Sequence, residues 1–275
     1  MHVFPRSFLL VFAQLSVGGI LSLSIPPFHE IQRGYYKSSA FVYLLLGALA
    51  LGGRLTLWVG AGASTSGTDL AEICLWSAFV VCGGGYFATL WGERFALRAR
   101  LFTATWGAGL AALIVAAESY ATAPILSVET LLYPTTFVLS ALLLGSVASG
   151  MLLGHWYLID RNLSLAPLWT ILRFYLACLG IQIAVFAVGT VALALFGAPA
   201  SSAQVGVLLR NEAALLGARV LVSPVGAAIL GAMIWRTLKI PQTMAATGLF
   251  YIAVLAVLVG EFMGRYLLFR TGLPL

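Results

Sequence analysis

Short polar connections cut this chain into eight apolar runs, each about as long as a bilayer's hydrocarbon core is thick. The runs cover residues 7–25, 39–60, 70–91, 101–120, 132–157, 167–197, 212–236 and 243–269. A spanning helix rises about 1.5 Å per residue and needs roughly 20 mainly apolar residues. Only 9% of the residues are charged, against about 25% in a soluble domain. No polar stretch is long enough to fold by itself. The expectation is all-α: a single integral membrane domain over residues 1–275, a multi-pass bundle of eight transmembrane helices. Any chemistry on a soluble substrate would come from partner chains. Arg6 ahead of the first run resembles the start of a signal peptide, but Ile25-Pro26-Pro27 ends that run with no small-x-small cleavage pattern, so it reads as a retained helix.

The net charge of +6 reports loop orientation in such a protein and does not signal nucleic acid. Arg33 and Lys37 lie in the first connection. Arg94, Arg98 and Arg100 lie in the third, Arg161 in the fifth, and Arg236 and Lys239 in the seventh. The second and fourth hold Asp69 and Glu129 with no Lys or Arg, and in the sixth Arg210 is offset by Glu212. Positive loops stay in the cytoplasm, so the odd connections are expected inside and both termini outside, in the periplasm of a bacterial cytoplasmic (inner) membrane. Arg6 and Arg270 run against this assignment, and the alternation over the loops outweighs them.

That orientation gathers the intramembrane polar residues on the outer side. Gln14 lies in the outer half of the first helix and Arg54 near the outer end of the second. Glu72 and Glu118 lie near the outer ends of the third and fourth, and Tyr133 opens the fifth. Arg219 is about two turns into the seventh. In the eighth, Glu261 and Arg265 share a helix face four residues apart and can pair. Ionisable groups at membrane depth are costly unless they line a cavity, bind something or join helices. A polar pocket toward the outer face is the functional expectation, with Glu118, Arg219, Glu261 and Arg265 as a proton relay or structural ion pair. Snorkelling or capped side chains are the bland alternative.

Other chemistry is weakly signalled. Cys74, Cys82 and Cys178 fall inside apolar runs without C-x-x-C spacing, and no metal site is expected. With only His2, His29 and His155, two stacked haems are excluded by count, and no haem is expected. His155, Asp160 and Arg161, beside Trp156 and Tyr157, read as an interfacial belt, a partner-docking patch or a proton-entry site. Gly83-Gly84-Gly85 and other small-residue faces point to close helix packing. Pro224 should bend the seventh helix. Neither a Walker motif, a nucleophile elbow, H-E-x-x-H nor an internal repeat is present.

Four stretches carry a family resemblance. They are Val11-Phe12-Ala13-Gln14-Leu15-Ser16-Val17-Gly18-Gly19, Leu70-Ala71-Glu72-Ile73-Cys74, Tyr133-Pro134-Thr135, and Gly260-Glu261-Phe262-Met263-Gly264-Arg265-Tyr266-Leu267-Leu268-Phe269. In their order the chain resembles the DmsC/NrfD/PsrC-type membrane anchor subunits of molybdopterin and iron–sulfur oxidoreductases, closest to the DmsC branch. The final G-E-x-x-G-R-x-x-F stretch is the most specific of the four. The resemblance implies exchange of membrane quinone/quinol, an iron–sulfur ferredoxin-like partner subunit, a molybdopterin catalytic subunit, and no resident cofactor. It implies a quinone site at Gln14, Arg54, Glu72 and Tyr133, with Glu72 as the proton-accepting catalytic group. The chain departs from the branch after its second helix: 54–62 has neither the histidine nor the Ser-Pro pair found there, and Arg54 stands as the substitute for the histidine. Two rival classes remain open on the residues alone, a small-molecule or ion transporter and a structural or assembly subunit with no site of its own.

Overall fold

The computed structural model describes residues 3–60, 67–120, 127–160 and 162–274. These residues form helices and connecting turns, with no β-strand among them. In chain order the helices are α1 (Val3–Ser22), α2 (Arg33–Gly60), α3 (Gly67–Thr89), α4 (Phe95–Glu118), α5 (Val128–Trp156) and α6 (Ala166–Phe196). They continue with α7 (Pro199–Asn211), α8 (Ala213–Val220), α9 (Gly226–Lys239) and α10 (Thr243–Thr271). A π-helical turn, Leu221–Val225, joins α8 to α9, so the segment Ala213–Lys239 runs as one broken rod. Counted this way, eight helical segments are long and apolar enough to cross a membrane.

The eight segments coincide with the eight apolar runs. The sixth connection holds a helix that the run pattern does not announce. Pro199 sets the first turn of α7, as its fixed φ and missing N–H allow. At 13 residues α7 is too short to span. Glu129, at the start of α5, accepts from the Ala198 backbone N–H at 2.7 Å and so caps α7 from a neighbouring helix.

The bundle is organised around α5. Of its apolar window 72% is buried, against 17% for α6. It packs against α1, α6, α10, α4 and α2. The reason is its small residues: Gly145, Ala148, Gly150 and Gly154 let neighbours approach closely. A Cβ on Gly18 of α1 would lie 1.6 Å from the Ala141 carbonyl oxygen, and one on Gly145 would lie 2.0 Å from the backbone of Gly18. α1 and α5 therefore touch backbone to backbone. The last helix ends at Gly272, whose φ of 73° is the left-handed conformation that terminates helices.

Pro224 lies in a π turn that interrupts the seventh span. Proline has no N–H to give the carbonyl four residues back and its ring clashes with that carbonyl. The register slips, and the Gly226 N–H reaches the Leu221 carbonyl instead.

Candidate functional site

Two polar clusters occupy one end of the bundle. The first is an open cleft of about 360 Å³, where the start of α1, the end of α2, the start of α3, the end of α4 and the end of α10 meet. Arg54 anchors its polar wall. Its Nε and Nη2 donate to the two carboxylate oxygens of Glu72, at 3.2 and 2.9 Å, a bidentate arrangement. Nη2 also donates to Asp69 at 2.8 Å. Arg54 and Asp69 are about one-third exposed and Glu72 is nearly covered. The opposing walls are aromatic and aliphatic: Trp58, Trp76, Tyr120, Phe269 and Leu10. Arg6 lies at the rim and is exposed. Tyr120 sits just past α4, and burial pushes its hydroxyl pKa upward, with the Glu72 carboxylate adding to that effect.

The second cluster is closed. Glu261 and Arg265 on α10 are both fully buried, and Arg219 of α8 nearly so. Glu261 Oε2 takes Arg265 Nη2 at 3.4 Å, and Oε1 lies 4.0 Å from Arg219 Nη2. Gln182 of α6 donates to Glu261 Oε1 at 2.5 Å. Arg265 Nη2 also donates to Ser140 Oγ of α5. The two guanidiniums lie over aromatic rings, Arg219 over Phe186 at 5.2 Å and Arg265 over Phe137 at 4.8 Å. Two voids of about 10 Å³ each flank Arg219 and Gln182, each about the size of a single water. The cluster has no room for a headgroup.

Glycines shape this second cluster. A Cβ on Gly264 would lie 2.6 Å from Arg219 Nε, and one on Gly260 would lie 2.0 Å from the Ser223 Cβ. The spacing Gly-Glu-x-x-Gly-Arg thus has a local physical reason. Its glycines seat the π-turn segment and Arg219 on α10, while Glu261 and Arg265 form the ionic contact beside them.

The residues expected in one quinone site separate. Arg54 and Glu72 line the cleft, while Gln14 and Tyr133 do not. Gln14 is fully buried and donates to the Phe137 carbonyl at 3.1 Å, tying α1 to α5. Its neighbour Ala13 takes the cleft-facing position because the two lie about 100° apart on the helix. Tyr133 is buried and donates its hydroxyl to the Gly272 carbonyl, pinning the segment after α10. Glu118 is half-buried and joins neither cluster, and it makes no ion pair among the described residues. Arg219, Glu261 and Arg265 do come together.

At the other end of the bundle, Asp160 accepts from Gln32 Nε2 at 2.9 Å, linking the connection after α5 to the one before α2. A second link joins the same connections, from Ser164 to Glu30 at 3.0 Å. His155 is exposed and lies 3.4 Å from the Tyr251 hydroxyl. Arg161 lies outside the described residues. Among the described residues no three His, Cys, Asp or Glu side chains gather as metal ligands would.

Sequence reasoning missed several participants. Asp69 reads as a loop acid and Arg6 as an orientation signal, yet both line the cleft. Gln182 carried a usable signal, as a lone amide in an apolar run of about 30 residues. Ser140 carried none, being one serine among several on α5. Fold and site together define a multi-pass helical membrane protein with an open ionic cleft and a closed ionic network at the same end of its bundle. Compared with known proteins, the sequence matches no family model and no curated protein, and the fold matches no solved structure.

Proposed function

We propose that this chain is the membrane anchor of a respiratory oxidoreductase in a bacterial cytoplasmic membrane, and that the Arg54–Glu72–Asp69 cleft receives the headgroup of a membrane quinone. One observation carries the reading: a carboxylate–guanidinium cluster forms one wall of an aromatic cleft of about 360 Å³. Ligand sites for apolar, ring-shaped molecules combine apolar walls with a few convergent polar groups. Trp58, Trp76, Tyr120 and Phe269 would hold the ring. Arg54 would orient a quinone oxygen, and Glu72 would exchange the proton that accompanies electron transfer to an iron–sulfur partner subunit. Each Glu72 oxygen accepts one hydrogen bond from Arg54 and keeps a further lone pair for a proton or a headgroup donor. Gln14 and Tyr133 leave the quinone-contacting set in this reading and act as ties between helices. Glu261, Arg219 and Arg265 act as the brace behind the cleft. A molybdopterin catalytic subunit completes the proposed complex, and the exposed His155 remains the candidate docking position at the opposite end, with Asp160 held in a loop contact.

The test is quinol oxidation by the complex purified with its partner subunits. Glu72→Gln is expected to lower the rate by about 10²-fold or more, the scale of a lost general base, while the subunits still assemble. An unchanged rate, with unchanged binding of a quinone-site inhibitor, would sink the assignment of Glu72.

A second reading, a transporter for an ion or small molecule, has one observation in its favour. The π turn at Ser223-Pro224 breaks a spanning helix beside the buried Glu261 network, and such breaks often mark functional sites. Flux through liposomes holding only this chain would favour it over the anchor.

A further inference from the structure

The end of the bundle opposite the cleft holds a second and larger cavity, of about 630 Å³. It lies between the segment leading into α2, the end of α3 and the start of α4. Phe28, Tyr36, Tyr86, Phe95 and Phe102 give it aromatic walls, and Arg33 and Arg98 give it positive charge. Among the described residues no carboxylate lines it.

The polar groups are built in. Tyr36 and Tyr86 are only 4% and 1% exposed, and neither hydroxyl has a hydrogen-bond partner. The buried Nε of Arg98 is also unpartnered. These atoms have almost no accessible surface, so they lie behind the aromatic wall and do not face the cavity. The guanidiniums are held in place. Arg98 Nη2 donates to the Thr89 and Gly92 carbonyls at 2.8 and 2.6 Å, and Arg33 Nη1 to the Gly92 carbonyl at 3.3 Å. Both lie over the Phe95 ring, at 5.2 and 5.7 Å.

We propose that this cavity binds the phosphodiester headgroup of an anionic phospholipid such as phosphatidylglycerol. Arg98 and Arg33 meet the phosphate charge beside the Phe95 ring. Basic pockets between spans at a membrane face are suited to such headgroups. The aromatic walls favour an amphiphile over a soluble anion. The proposal is independent of the quinone reading, because the two cavities share no residue.

The test compares the whole chain with its Arg33→Gln/Arg98→Gln variant, in phosphatidylcholine-based mixed micelles, by native mass spectrometry and thermal melting. With phosphatidylglycerol added, the wild type is expected to retain one lipid and melt higher, while added phosphatidylcholine or inorganic phosphate does neither. The double variant should weaken phosphatidylglycerol retention by about tenfold or more, the scale of lost hydrogen bonds to a charged group. Equal retention by wild type and variant would overturn the proposal. Equal protection by inorganic phosphate would overturn the lipid assignment. Arg33→Gln, which loses an exposed guanidinium with one 3.3 Å hydrogen bond, carries the comparison if the double variant does not fold.

Discussion

Glu261 compensates two guanidiniums from a fully buried position, so its charge is structural whatever else it does. Removing one member of a buried ionic group leaves the others uncompensated, at a cost of about 3–5 kcal/mol. Glu261→Gln is therefore expected to destabilise the protein by that amount, read as a large fall in melting temperature. Gly264→Ala should destabilise by about 1–3 kcal/mol, because the new methyl enters the space of Arg219 Nε, 2.6 Å away, and displaces a buried guanidinium. An unchanged melting temperature in either variant would contradict this account of the network. At this scale the sequence was partly legible. Glu261 and Arg265 pair as their four-residue spacing requires. Gln14 and Tyr133 did not join the cleft, because depth along a helix fixes a residue's level in the membrane but not the direction it faces. About 100° of rotation per residue gives the cleft to Ala13 and turns Gln14 to the Phe137 carbonyl.

Among the elements, the contact of α1 with α5 is the least tolerant of change. Gly18 and Gly145 meet with no room for a side chain, and van der Waals contact of this kind holds helices together in lipid. Gly145→Leu should separate the two helices and lower the melting temperature sharply or prevent insertion. Gly180→Leu should do neither, since a side chain at that exposed position of α6 meets nothing within 4 Å. Equal behaviour of the two variants would refute the role given to the α1–α5 seam. Spans were readable from apolar length, and the interruption of the seventh from Pro224, because both follow from local backbone chemistry. α7 was not, since its small and polar residues lack an apolar run and its start depends on a cap supplied by Glu129 from α5. The central place of α5 was also hidden. Composition marks it as rich in small residues, but only the packing shows that those residues face other helices on most sides.

The whole molecule separates two ends. One carries the Arg54 cleft and the Glu261 network, the other the aromatic, basic cavity and the Gln32–Asp160 contact. The charge pattern predicts that the second end faces the cytoplasm. With Cys74, Cys82 and Cys178 replaced by alanine, Gly92→Cys should resist a membrane-impermeant maleimide in intact cells and react after lysis. Ala203→Cys, an exposed position on α7 at the opposite end, should react in intact cells. The reverse pattern would invert the topology and with it the assignment of the cleft to the outer side. The central claim is that the cleft binds a quinone headgroup, and fluorescence titration of the purified chain tests it most directly. Trp58 and Trp76 line the cleft, so a short-chain quinone should quench them saturably. Arg54→Gln, by removing the group that orients a quinone oxygen, should weaken that binding by about tenfold or more, the scale of a hydrogen bond to a charged group. Quenching that never saturates, or that is identical in wild type and Arg54→Gln of unchanged fold, would contradict the account.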